Sequence, residues 1–134
     1  TNTIRLINLF ENVTKAAVKD CYVDDSNHVV YFIVNEGDIG LAIGKNGSAV
    51  KNVEMMIKKN IRIFEFSNDL STFVKNIIPA ANKIEVRTGE DGTVVEIGVM
   101  KQDKALVIGR DGRNINLYRE LLQRNHDVQK LLVK

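Results

Sequence analysis

The feature that most constrains this chain is that it repeats itself. Sliding the 134-residue sequence by 65 positions places Leu41-Ala42-Ile43-Gly44-Lys45-Asn46-Gly47 on Leu106-Val107-Ile108-Gly109-Arg110-Asp111-Gly112. The same shift lays Asp38 on Asp103, Val29 and Val30 on Val94 and Val95, Val34 on Val99, Val50 on Ile115, Lys59 on Arg124 and Asn60 on Asn125. An internal repeat means one supersecondary unit built twice. Two modules are expected, residues 1–67 and 68–134, joined near Ser67 to Asp69 without a Gly- or Pro-rich linker, so that they pack rigidly.

Each copy reads as an α+β unit. Ile4, Ile7, Phe10, Val13 and Ala17 recur at helical steps, which predicts a helix over residues 3–18 with one buried face. Cys21-Tyr22-Val23 and residues 29–34 are β-branched and aromatic, and Asp24-Asp25-Ser26-Asn27 between them is hairpin-turn chemistry. A short helix is expected over 38–43, another carrying Val50, Val53 and Ile57, and a closing strand with Ile61 and Ile63. The second copy repeats the order: a helix through Leu70, Phe73, Val74 and Ile77 stopping near Pro79, strands at 84–87 and 94–99, helices at 102–108 and 113–123, and a strand at 128–133. The order αββααβ occurs twice.

Gly-x-x-Gly is a weak pattern, present at 37–40, 44–47, 89–92 and 109–112. The copy at 89–92 joins two strands and the one at 37–40 begins a helix, so both read as structural. The copies at 44 and 109 fall between two helices. There the first glycine is expected to take the left-handed conformation that ends one helix, and the second to remove a side chain where the next begins. Such a junction turns backbone N–H groups and the positive end of a helix toward a surface cleared of bulk, where a phosphate can approach. Lys45 and Arg110 add a cation at matching positions, and Asn46 and Asp111 suit tight turns. Ile43, Val50, Ile108 and Ile115 are read either as core or as the floor of a base-accepting groove. Ser48, Lys51 and Arg113 follow the loops and would flank a nucleic-acid path.

Other chemistries find little support. A nucleotide-binding loop Gly-x-x-x-x-Gly-Lys-Ser/Thr would need one more residue between Gly40 and Gly44, and a hydroxyl where Asn46 stands. His28 and His126, expected in a turn and a strand of different modules, have no ligand or nucleophile pattern around them, so no metal, cofactor or catalytic group is expected. Cys21 opens an apolar stretch and reads as a packed thiol. Net charge is only +2, too little to diagnose a nucleic-acid partner, and with no Trp and three Tyr, aliphatic surface and backbone must hold any bound base. No apolar run reaches the roughly 20 residues of a membrane span, and the first residues lack a secretion signal, so a cytoplasmic monomer is the expectation.

The segments Ala42-Ile43-Gly44-Lys45-Asn46-Gly47-Ser48-Ala49-Val50 and Val107-Ile108-Gly109-Arg110-Asp111-Gly112-Arg113-Asn114-Ile115 resemble the Ile-Gly-x-x-Gly-x-x-Ile signature of KH domains. The element order resembles their type II form, and a tandem pair of this length is similar to the archaeal NusA-like transcription factors. The resemblance covers essentially the whole chain. It implies a single-stranded RNA-binding protein of transcription elongation, termination or antitermination. Each loop, Gly44, Lys45, Asn46 and Gly47 or Gly109, Arg110, Asp111 and Gly112, would grip the sugar-phosphate backbone while bases lie in the adjoining groove. RNA polymerase or the transcription complex is the further partner it implies. Bacterial members add a polymerase-binding domain and an OB-type domain, for which 134 residues leave no room. Asp111 puts a carboxylate inside the second loop, so the first is expected to clamp phosphate better. A ribosomal or ribosome-assembly RNA-binding protein, and a KH-fold module that binds protein, are the alternatives.

Overall fold

A computed structural model describes residues 2–134, which fall into two compact units, 2–67 and 68–134. The first contains α1 (Asn2–Thr14), β1 (Val18–Asp24), β2 (Val29–Val34), α2 (Ile39–Ile43), α3 (Ser48–Ile57) and β3 (Asn60–Glu65). The second contains α4 (Leu70–Ile77), β4 (Lys83–Gly89), β5 (Gly92–Gly98), α5 (Lys101–Ile108), α6 (Arg113–His126) and β6 (Val128–Val133). Each has a three-stranded sheet with its middle strand antiparallel to the first and parallel to the third.

Alternation along β2 builds the first core. Val30, Phe32 and Val34 point to one face and are fully buried with Cys21, Ile61, Ala42 of α2 and Val53 of α3. Leu6, Ile7, Leu9, Phe10 and Val13 form the stripe of α1 that covers this face, and the Phe10 ring stacks on Phe32 with centroids 4.1 Å apart. Cys21 is thus a packed thiol. The outer face differs between the units. In the first, Tyr31 lies between Tyr22 and Phe64, each ring 6.2 Å away. At the matching position of the second stands Glu96, whose carboxylate accepts from Arg87 at 2.8 Å and Lys134 at 2.6 Å.

The helix expected to reach residue 18 stops at Thr14, and Ala17 belongs to the approach to β1. Two side-chain contacts impose the break. The Thr14 hydroxyl donates to Phe10 O at 2.8 Å and accepts from Ala16 N at 3.1 Å, while Lys15 turns into the left-handed region at φ 69°. Distant carboxylates then take the next two amides: Asp38 accepts from Ala17 N and Glu11 from Val18 N, both at 2.8 Å. The α4 helix starts where its sequence says, with the Asp69 carboxylate accepting from Thr72 N at 3.0 Å and from the Thr72 hydroxyl at 2.6 Å. Its last residue, Ile77, precedes Ile78-Pro79, where proline keeps Ile78 out of the helical region at φ −128°, ψ 77°.

The 65-residue register holds only as far as the third helix of each unit. The α3 helix ends at Ile57, whose match is Leu122, but α6 continues to His126. Lys59 and Asn60 lie at a turn and the start of β3, whereas Arg124 and Asn125 are still helical, so their expected equivalence fails. On the core face Ile61 pairs with Val30 and Leu131 with Val95, an offset of 70. His126 is likewise the last residue of α6 rather than a strand residue, its ring 5.3 Å from Phe73.

Candidate nucleic-acid interface

The two loops have the same backbone. Gly44 lies at φ 77°, ψ 175° and Gly109 at φ 77°, ψ 170°. Asn46 and Asp111 are left-handed at φ 55° and 56°, and Gly47 and Gly112 left-handed at φ 77° and 74°. In each, the first glycine's N–H closes the preceding helix, onto Gly40 O at 2.9 Å and Ala105 O at 2.8 Å. The second glycine's N–H turns back to the first, at 3.2 Å and 3.1 Å. A tight turn therefore joins α2 to α3 and α5 to α6.

The division of labour between the glycines is the reverse of the expected one. The first is not left-handed: its φ and ψ fall in an extended region that only glycine occupies readily. It is also the crowded one. A Cβ on Gly44 would sit 2.7 Å from both Ala49 Cβ and Ala49 N, and one on Gly109 would meet Asn114 Cγ at 2.8 Å. The second glycine carries the left-handed turn and is not crowded, the nearest atom to a Cβ on Gly47 being Lys51 Cε at an ordinary contact distance of 3.6 Å. The first glycine lets two helices close up; the second caps the following helix without a side chain.

That cap leaves the α3 and α6 N-termini free of any side-chain cap, so their first-turn amides and positive helix ends face outward beside exposed side chains. Lys45, Asn46, Ser48 and Lys51 are exposed around the first loop, and Arg110, Asp111 and Arg113 around the second. The apolar positions divide. Ile115 is buried and Val50 packs half-buried against the first core, but Ile43 is 42% exposed and Ile108 only half-buried. The buried residue of each short helix is the one before, Ala42 and Val107. Leu41 and Leu106, 50% and 74% exposed, extend the apolar strip beside each loop and were not singled out from sequence, although they head the repeated segment. Asn114 is a further addition. Its Nδ2 donates to Leu106 O at 2.8 Å, tying the end of α5 to the start of α6 where the first unit has only Ala49.

Among the described residues no cluster of His, Cys, Asp or Glu could hold a metal, and no helix is long and apolar enough to cross a membrane. Two αββααβ units, each with a glycine-framed helix junction, define a tandem KH-domain protein. Family comparisons match residues 6–77 to the KH domain and residues 70–132 to the NusA-like second KH domain. The "Probable transcription termination protein NusA" of Methanocaldococcus jannaschii is 34% identical over 136 residues, spanning 99% of this chain and 73% of that protein. The protein of the same name from Halococcus morrhuae is 36% identical over 129 residues, spanning 96% and 91%. The crystal structure of APE1850 is similar with a TM-score of 0.82 at 33% identity, covering 99% of this chain and 98% of that one. The chain belongs to the archaeal NusA-like family.

Proposed function

We propose that this protein is a single-stranded RNA-binding factor of transcription, acting in termination or antitermination, and that its two glycine loops are the RNA grips. One observation carries the reading: two junctions of the same backbone, 65 residues apart, each put a cation between two glycines at an uncapped helix N-terminus. The archaeal relatives' names supply the process. Lys45, Asn46, Ser48 and Lys51 would hold one stretch of backbone and Arg110 and Arg113 another, with bases against Ile43 and Leu41 or Ile108 and Leu106. Asp111 weakens the second grip by opposing phosphate, and Asn114 stiffens it. The protein acts as a cytoplasmic monomer without cofactor or catalytic step, and RNA polymerase or its nascent-RNA complex is the assembly it joins. Affinity capture of the intact protein from its native extract tests the process: polymerase and nascent transcripts are expected, and recovery of ribosomal particles alone would refute it.

A further inference from the structure

Lys51, Met55 and Lys58 succeed one another at four- and three-residue steps, which puts them on one side of α3. Lys51 and Lys58 are separated by about 10 Å along the axis. The helix ends abruptly there: Lys58 adopts the left-handed cap at φ 58° and its N–H returns to Glu54 O at 2.8 Å. Between this end, the turn before β2 and the start of β3 lies a shallow, open hollow of about 450 Å³, whose lining includes His28, Lys51, Glu54, Met55, Lys58 and Lys59.

Its charges are not balanced internally. The Glu54 carboxylate is taken by Ile61 N at 2.8 Å, and Lys59 pairs with Asp25 at 3.0 Å. Lys51 and Lys58, both exposed, have no carboxylate partner among the described residues. Met55 is 77% exposed, an apolar surface set between two free ammonium groups. The hollow also adjoins the glycine loop, because the Lys51 stem passes 3.6 Å from where a Cβ on Gly47 would lie. The second unit lacks these side chains: Asn116, Glu120 and Gln123 stand at the matching positions, and α6 runs on through the place where α3 stops.

We propose that this hollow is an additional nucleotide subsite of the first unit, continuous with the Lys45-Asn46 loop. The strand held by the loop passes Lys51 and lays a further phosphate against Lys58, with a base on Met55 and the His28 ring. The subsite rests on the RNA-binding reading of the loops, and it makes the first unit's footprint longer than the roughly four nucleotides such a loop clamps. The second unit keeps the short footprint.

The test compares the full chain with a Met55→Gln/Lys58→Asn variant, asparagine suiting the left-handed cap. Fluorescence anisotropy measures binding of random-sequence RNA pools of four and of ten nucleotides over a range of salt. The expected result is a drop on the order of ten-fold for ten-nucleotide RNA, with a salt slope shallower by about 0.7, and unchanged four-nucleotide binding. Ten-nucleotide binding equal to the unsubstituted chain in affinity and slope would overturn the subsite while leaving the loop reading intact. An equal loss for both lengths would place these side chains in the loop site and overturn a separate subsite. Failure of the unsubstituted chain to bind either pool would overturn the loop reading itself.

Discussion

Replacing the two glycines of the first loop one at a time separates their roles. Gly44→Ala asks alanine to occupy φ 77°, ψ 175°, with its Cβ 2.7 Å from both Ala49 Cβ and Ala49 N. Holding a non-glycine residue in that region costs about 1–3 kcal/mol. Neither contact is the end of a flexible side chain, so the N-terminus of α3 must also shift, for about 1–3 kcal/mol more. Gly44→Ala should therefore destabilise the protein by about 3 kcal/mol or more. Gly47→Ala meets no atom closer than 3.6 Å and carries only the left-handed penalty, about 1 kcal/mol, and Gly47→Asn less. Urea denaturation followed by circular dichroism reads the difference, with a midpoint lowered by roughly 2 M or more for Gly44→Ala against roughly 0.7 M for Gly47→Ala. Equal shifts for the two alanine variants, or a larger one at Gly47, would refute the assigned roles.

Two further substitutions probe the contacts that set element ends. Thr14→Val leaves the buried Ala16 N–H without its acceptor and should cost about 1–3 kcal/mol in the same denaturation experiment. At the start of α4, the Thr72 hydroxyl and N–H hold the Asp69 carboxyl below its usual 3.8. A depressed pKa means a contribution to stability that is present above the unfolded-state value and lost as pH falls through the folded one. Asp69→Ala should accordingly lower Tm at pH 7 and have little effect near pH 2.

What could be read from the sequence follows from where the governing contacts lie. The loops at 44 and 109 were legible because repetition singles them out from the other two Gly-x-x-Gly segments, whose spacing is identical. The core face of α1 follows its 3.6-residue period, so Phe10 could be placed before its ring was seen to stack. All six residues of β2 are apolar, so the inward face that carries Phe32 could not be told from the outward one. The end of α1 was not legible, because Thr14 looks like any polar helix residue and the amide of Ala17 freed beyond it is taken by Asp38, 21 residues on, which no local propensity marks. The broken register after Ile57 escaped for a different reason: Lys59 and Arg124, Asn60 and Asn125 are alike in chemistry but lie in different local structures. The glycine roles were inverted because spacing says which residues lack a side chain and not which of them is crowded. That depends on Ala49 and Asn114, five residues on in each copy. The Asn114 tie had one visible signal, an amide side chain where the other copy has alanine.

The central claim is that the two loops are the points at which RNA is held. Its most direct test is the affinity of the full chain for single-stranded RNA after Lys45→Asp/Asn46→Asp and Arg110→Asp are introduced together. Asn46→Asp keeps a residue suited to the left-handed turn, as Asp111 shows at the same place in the second loop. The account predicts a loss of binding on the order of a hundred-fold or more, with the circular dichroism spectrum and Tm essentially unchanged. RNA affinity equal to that of the unsubstituted protein would contradict it.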